Sequence, residues 1–118
     1  MLAKVVRIGL LNDFYGCLLT ERQAKFIELY YNDDLSLSEI AEKFSISRQG
    51  VYDILRRSVD QLEEYESKLK LMEKHFALKG YIENLKQLIN EFKDINCSEL
   101  REKIDKTIEL LKQIEMLV

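Results

Sequence analysis

Between Leu35 and Arg57 the chain reads LSLSEIAEKFSISRQGVYDILRR. Ser36-Leu37-Ser38-Glu39 has the form of a capping box. The Ser36 hydroxyl accepts from an amide three residues on, and the Glu39 carboxylate reaches back to the Ser36 amide. Ile40, Ala41 and Phe44 then share one helical face. Ser45-Ile46-Ser47 breaks the pattern, and Ser47 is a natural N-cap for the helix that follows. That helix places Val51, Ile54 and Leu55 inward, and leaves Arg48, Gln49, Tyr52, Asp53 and Arg56 outward. Two short helices joined by a tight turn are the sequence form of a helix-turn-helix. Ala41, Ser45 and Val51 occupy the small, turn and apolar positions of that pattern. A side chain larger than Ala41 would push the helices apart. Ser45 stands where glycine is frequent, at a turn that needs a left-handed backbone, which serine tolerates less well.

Composition agrees with helices throughout. The chain has 118 residues, no proline, four glycines, 47% hydrophobic and 33% charged residues. With so little turn punctuation, an all-α protein with long helices is expected. The start, MLAKVVRIGLLNDFYGCLL, is interrupted by Lys4, Arg7 and Asp13, and lacks the form of a signal peptide. It reads as an amphipathic first helix with Val5, Ile8, Leu11, Tyr15 and Leu18 inward. A second helix begins at another capping box, Thr20-Glu21-Arg22-Gln23. It carries Phe26, Ile27, Leu29, Tyr30 and Tyr31, and ends at Asn32-Asp33-Asp34, residues that favour turns. The helix after Ser47 continues through Val59, Leu62 and Tyr65. These elements define a domain over residues 1–66.

Residues 67–118 have a different texture. Leu71, His75, Leu78, Ile82, Leu85, Ile89 and Phe92 recur at steps of four and three, a heptad seam. After a break at Asp94-Ile95-Asn96-Cys97-Ser98, a last helix carries Leu100, Ile104, Ile108, Leu111 and Met116 or Leu117. Two long amphipathic C-terminal helices can form a hairpin within the chain or pair with a second copy. A homodimer is the expectation here, with intrachain packing the alternative.

The run from Asp13 to Leu71 resembles the YlxM-like helix-turn-helix proteins of Gram-positive bacteria. Asp13-Phe14-Tyr15-Gly16, Leu19-Thr20, Leu29-Tyr30-Tyr31, Glu39-Ile40-Ala41-Glu42, Ser47-Arg48-Gln49 and Val51-Tyr52-Asp53 carry the likeness. It covers about half the chain. The resemblance implies a three- to four-helix unit like region 4 of sigma factors or a winged helix. It also implies DNA binding, and a regulatory role in the signal recognition particle pathway, whose GTPase genes usually neighbour those of the family.

Charge qualifies that expectation. The net charge is −3. Residues 1–60 hold eight basic and nine acidic side chains, net −1, and residues 61–118 hold ten and twelve, net −2. Neutralising phosphates supplies most non-specific affinity, so an acidic chain must concentrate its cations locally. Lys43, Arg48, Arg56 and Arg57 do so against Asp53, with Arg22 nearby. The expected nucleic-acid site is therefore Lys43, Ser47, Arg48, Gln49, Tyr52, Asp53, Arg56 and Arg57. Ser47 and the free amides of the helix start would hold a phosphate. Arg48 and Gln49 would meet base edges, Tyr52 a thymine methyl or a sugar, and Arg56 the backbone. Gly50 would allow close approach of a strand or a neighbouring helix, or be incidental. Each residue also has a plainer reading. The arginines can be solvated or paired with Asp53, Asp60 or Glu63, and Tyr52 can pack on Tyr30 or Tyr31. The partner is DNA or the signal recognition particle's RNA. A protein module contacting the particle's GTPase is the alternative, since a fold does not fix a function.

Catalysis finds no footing. The single histidine, His75, sits on the apolar seam as a buried or interface residue. No nucleophile–base pair, glycine-rich phosphate loop or metal-ligand spacing is present, so no enzyme activity, cofactor or metal is expected. Cys17 and Cys97 read as small apolar fillers of a cytoplasmic chain.

Overall fold

In a computed structural model, which describes residues 2–94 and 98–117, the chain is all-α. The elements are α1 (Leu2–Tyr15), α2 (Glu21–Ile27), α3 (Leu37–Phe44), α4 (Arg48–Leu69), α5 (Leu71–Glu91) and α6 (Ser98–Leu117). Residues 16–18 and 92–94 are 3-10 turns, and α2 runs directly into a π-helical turn over Glu28–Asn32. No strand occurs among the described residues. The chain forms two compact units, residues 1–72 and 73–118.

Local chemistry sets the helix starts. Thr20 Oγ1 accepts from the Gln23 amide at 3.2 Å, while Gln23 Oε1 accepts from the Thr20 amide at 3.1 Å. Ser36 and Glu39 repeat the arrangement at 3.1 and 3.3 Å. Each box satisfies two amides that a helix N-terminus otherwise leaves unpaired.

The turn between α3 and α4 is a Schellman motif. Ser45 is left-handed at φ 55°, ψ 44°. The Ser45 amide donates to the Glu42 carbonyl at 3.4 Å, and the Ile46 amide to the Ala41 carbonyl at 3.1 Å. Ser47 returns to extended backbone and caps α4. Three residues thus close one helix and open the next.

The first unit packs around one core. Ile8, Leu11 and Tyr15 of α1 meet Phe26 and Ile27 of α2, Ile40 and Ala41 of α3, and Val51, Leu55 and Leu62 of α4. The Phe26 and Phe44 rings meet edge to face at 4.8 Å. Gly9 lies against the π-turn, where a Cβ would stand 2.9 Å from Asn32 Oδ1. Two expected core residues of α1 lie outside. Val5 and Leu18 are exposed. The helix ends at Tyr15, so Leu18 falls in the 3-10 turn and leaves the helical phase. Cys17 in the same turn is exposed rather than a core filler, and Cys97 lies outside the described residues.

Tyr15 and Glu66 form a buried polar link within this unit. The phenol donates to Glu66 Oε1, which also accepts the Met72 amide at 3.0 Å, and the phenol oxygen accepts the Leu71 amide at 3.0 Å. Two amides at the start of α5 are thereby satisfied. Arg7 and Glu63 add a two-pronged ion pair at 2.9 and 2.7 Å on the surface.

In the second unit an ion pair joins α5 to α6, Lys86–Glu115 at 2.5 Å, and another joins the 3-10 turn after α5 to α6, Lys93–Asp105 at 3.1 Å. Ile82 and Ile104 are buried. The seam read from the sequence divides. Ile82 is buried and His75 and Ile89 are half-buried, whereas Leu78, Leu85 and Phe92 are exposed. With Tyr81 and Leu88 these make a stripe at steps of three and four, each residue between 42% and 68% exposed. A helix offers two such stripes when apolar residues cover more than one seam's width.

Candidate nucleic-acid interface

The interface is built on the first three turns of α4. Ser47 Oγ accepts from the Gly50 amide at 2.9 Å, and the Ser47 carbonyl accepts from Val51 at 3.1 Å. In a helix start of this kind the amides of Arg48 and Gln49 have no intrahelical acceptor and point along the axis. Together with the helix dipole they make a site suited to an anion. Gly50 has an internal reason to be glycine. A Cβ there would stand 3.1 Å from Ser47 Oγ and crowd the cap.

Lys43, Ser47, Arg48, Gln49, Tyr52, Asp53, Arg56 and Arg57 are all exposed. Seven of them lie on α4 or its cap, whereas Lys43 sits in the last turn of α3. Their bonding differs. Gln49 Nε2 donates to Asp53 Oδ1 at 3.0 Å, one helical turn on. Arg57 Nε folds back to the Asp53 carbonyl at 3.4 Å. Arg48, Arg56 and Lys43 make no ion pair among the described residues. Arg48, Tyr52 and Arg56 recur at steps of four, so they share a face and span about 12 Å of helix. Two unpaired guanidiniums thus flank one tyrosine beside the capped start. The alternative in which these arginines pair with Asp53, Asp60 or Glu63 does not form, and Asp53 accepts from Gln49. Arg22 is directed elsewhere, over the Phe26 ring at 5.5 Å.

Tyr52 is 47% exposed and therefore not a core residue. It lines a cleft with Tyr30 and Tyr31. Those two rings meet edge to face at 5.0 Å, and burial pushes the Tyr31 phenol above its ordinary value, with a smaller contribution from Tyr30. The cleft's lining comes from α1, the π-turn, α3 and α4, a combination that no local pattern in the sequence displays. The alternative that sets Tyr52 beside Tyr30 or Tyr31 touches its aromatic side, whereas Lys4 has no trace in the sequence pattern.

Elsewhere, His75 is half-buried with its ring 5.3 Å from that of Phe76. No group of three or more His, Cys, Asp or Glu among the described residues could hold a metal ion. Among them, no helix is long and apolar enough to cross a membrane.

Comparison with known proteins agrees with this architecture. A family model described as "Putative helix-turn-helix protein, YlxM / p13 like" (UPF0122) matches residues 2–100. UPF0122 proteins of Bacillus thuringiensis (strain Al Hakam) and Bacillus cereus (strain AH187) are each 44% identical over 115 residues, spanning 98% of this chain and 100% of the relative. A UPF0122 protein of Bacillus anthracis (strain A0248) matches with the same identity and coverage. The chain belongs to the UPF0122 family of YlxM / p13-like helix-turn-helix proteins.

Proposed function

We propose that this protein is a nucleic-acid-binding regulator that presents the start of α4 to a DNA major groove. One observation carries the reading: Arg48 and Arg56 are exposed, unpaired among the described residues, and share a face of a capped helix. Arginines whose charge is not already neutralised by a carboxylate are available to phosphates and guanine edges. In this proposal Ser47 and the amides of Arg48 and Gln49 hold a phosphate. Arg48 and Gln49 meet base edges, Tyr52 a methyl or sugar, and Arg56, Arg57 and Lys43 the backbone. Asp53 orients Gln49 through their hydrogen bond. The net charge of −3 makes the affinity modest and strongly salt-dependent.

Pairing of two copies belongs to the same proposal, because a two-fold dimer presents two such helices and doubles the local positive charge. The exposed stripe Leu78, Tyr81, Leu85, Leu88 and Phe92 of α5 supports it, since monomers rarely leave so much contiguous apolar surface in water. The family resemblance supports a setting in the signal recognition particle pathway of the cytoplasm, with the particle's RNA as the other candidate ligand. No catalytic role is part of the proposal.

The acidic balance favours a second reading, a protein-interaction module that contacts the particle's GTPase without reading nucleic acid. Titrating duplex DNA and signal recognition particle RNA into wild type and the Arg48→Ala, Arg56→Ala double variant separates the two. Binding lost in the variant supports the first. Absence of binding to either, with GTPase co-purification that persists in the variant, supports the second.

A further inference from the structure

Beside the recognition face lies a cleft of about 310 Å³. Its volume falls at the small end of ligand pockets, which run roughly 300–1,000 Å³. Tyr30, Tyr31 and Tyr52 supply three aromatic walls, and Leu55 is part of the apolar lining. Lys4 from the first turn of α1 and Arg56 from α4 contribute two cations against one carboxylate, Asp60. Neither cation pairs with Asp60 or with any other carboxylate among the described residues.

The backbone contributes to this arrangement. Tyr30 and Tyr31 stand on the π-helical turn Glu28–Asn32. A π-turn inserts an extra residue into the helix, costs regular hydrogen bonding, and is found most often where side chains serve a site. Here it delivers two neighbouring tyrosines to one cleft. Both rings pack against the core yet stay half-buried, and Tyr52 opposite them is more exposed still.

We propose that this cleft takes a single nucleotide, its base stacked among Tyr30, Tyr31 and Tyr52 and its phosphate held between Lys4 and Arg56. Aromatic faces accept any base, and flanking cations accept the phosphate, the combination that holds unpaired nucleotides on single strands. The source of the nucleotide is an unpaired residue of a bound strand or a free mononucleotide. The first case rests on the nucleic-acid reading of α4, because Tyr52 and Arg56 belong to both surfaces. It would extend that reading from a uniform duplex to a target carrying a bulge or splayed base next to the groove contact.

The test uses the full chain and three probes: a fully paired DNA hairpin, the same hairpin with one bulged deoxyadenosine, and free deoxyadenosine monophosphate. Anisotropy reports the hairpins, and quenching of tyrosine fluorescence reports the free nucleotide. Two variants accompany wild type. Tyr31→Leu removes an aromatic face while keeping apolar bulk, and Lys4→Gln removes a charge at an exposed position that bears no core contact. The wild type is expected to bind the bulged hairpin roughly tenfold more tightly than the paired one. Tyr31→Leu should lose that preference and Lys4→Gln should reduce it, with paired-hairpin affinity within about twofold of wild type in both. Saturable quenching by the free nucleotide, lost in Tyr31→Leu, would support the cleft with a free nucleotide as its source. Equal affinity for the two hairpins together with no quenching overturns the proposal, as does a bulge preference that survives both variants. Failure of the paired hairpin to bind contradicts the α4 reading alone, and the free-nucleotide arm then decides the cleft.

Discussion

The Tyr15 hydroxyl donates a 2.5 Å hydrogen bond to the buried Glu66 carboxylate, linking α1 to the end of α4 across 51 positions of sequence. Glu66 is only 6% exposed, so its carboxyl oxygens need donors from the protein. Tyr15→Phe removes one of them and also the acceptor of the Leu71 amide. The expected loss is about 1–3 kcal/mol, read as a lower urea midpoint with an unchanged slope. A loss below about 0.5 kcal/mol would show that water replaces the phenol at no cost.

The same phenol gives a signature in alkali. Burial, and next the bond to Glu66, hold the Tyr15 hydroxyl above its ordinary value. A raised folded value means that the contribution is fully present below the unfolded value near 10 and is lost as pH rises through the folded one. Wild type should therefore lose more stability than Tyr15→Phe between about pH 9 and 11. Parallel curves for the two proteins over that window would count against the buried bond.

Acid should act through Arg7 and Glu63. The hydrogen bond from Arg7 holds the Glu63 carboxyl below its ordinary value. A depressed folded value gives stability that is present above the unfolded value near 4.3 and lost as pH falls through the folded one. Both side chains are more than a third exposed, so solvent screening limits the effect to under about 1 kcal/mol. Glu63→Gln should cost that amount at pH 7 and progressively less as pH falls below about 4. A deficit that does not shrink as pH falls would mean that packing, not charge, is responsible.

Ser45 tests the turn of the helix-turn-helix. Its left-handed backbone costs a β-carbon-bearing residue about 1 kcal/mol. Ser45→Gly should raise the melting temperature, and Ser45→Val should lower it, since a β-branched side chain tolerates this region worst. Equal melting temperatures for the three proteins would contradict the turn geometry.

The exposed stripe on α5 predicts the oligomeric state. Light scattering should give twice the chain mass for wild type and a single chain for Leu85→Glu with Leu88→Glu, because two carboxylates in a paired seam are desolvated without partners. A wild type of single-chain mass at tens of micromolar would remove the dimer from the account.

How far the sequence carried depends on how local each feature is. Both capping boxes, the Ser47 cap, the left-handed Ser45 and the inward face of Val51, Ile54 and Leu55 were legible, since each depends on residues within two helical turns. Tyr15 was placed inward as an apolar residue, but its partner Glu66 was not visible, because no periodicity relates positions so far apart. The exposure of Leu18 follows from where α1 stops, which a helical projection does not contain. On α5 one seam was read where two faces exist. The 7-residue repeat of Leu71, Leu78, Leu85 and Phe92 merges with that of His75, Ile82 and Ile89 until the structure shows which set is buried. At the interface the exposed positions of α4 were legible, whereas the Gln49–Asp53 bond was not.

Anisotropy of a labelled DNA duplex, titrated at low and near-physiological salt with wild type and with the Arg48→Ala, Arg56→Ala double variant, tests whether α4 reads nucleic acid. Wild type should bind with an affinity that falls steeply with salt. The variant should lose about 2–4 kcal/mol and show a salt slope smaller by roughly two, while its melting temperature stays within a few degrees of wild type. Equal binding by the two proteins, or no binding by a folded wild type to duplex DNA or to signal recognition particle RNA, would contradict the assignment of α4 as the recognition helix.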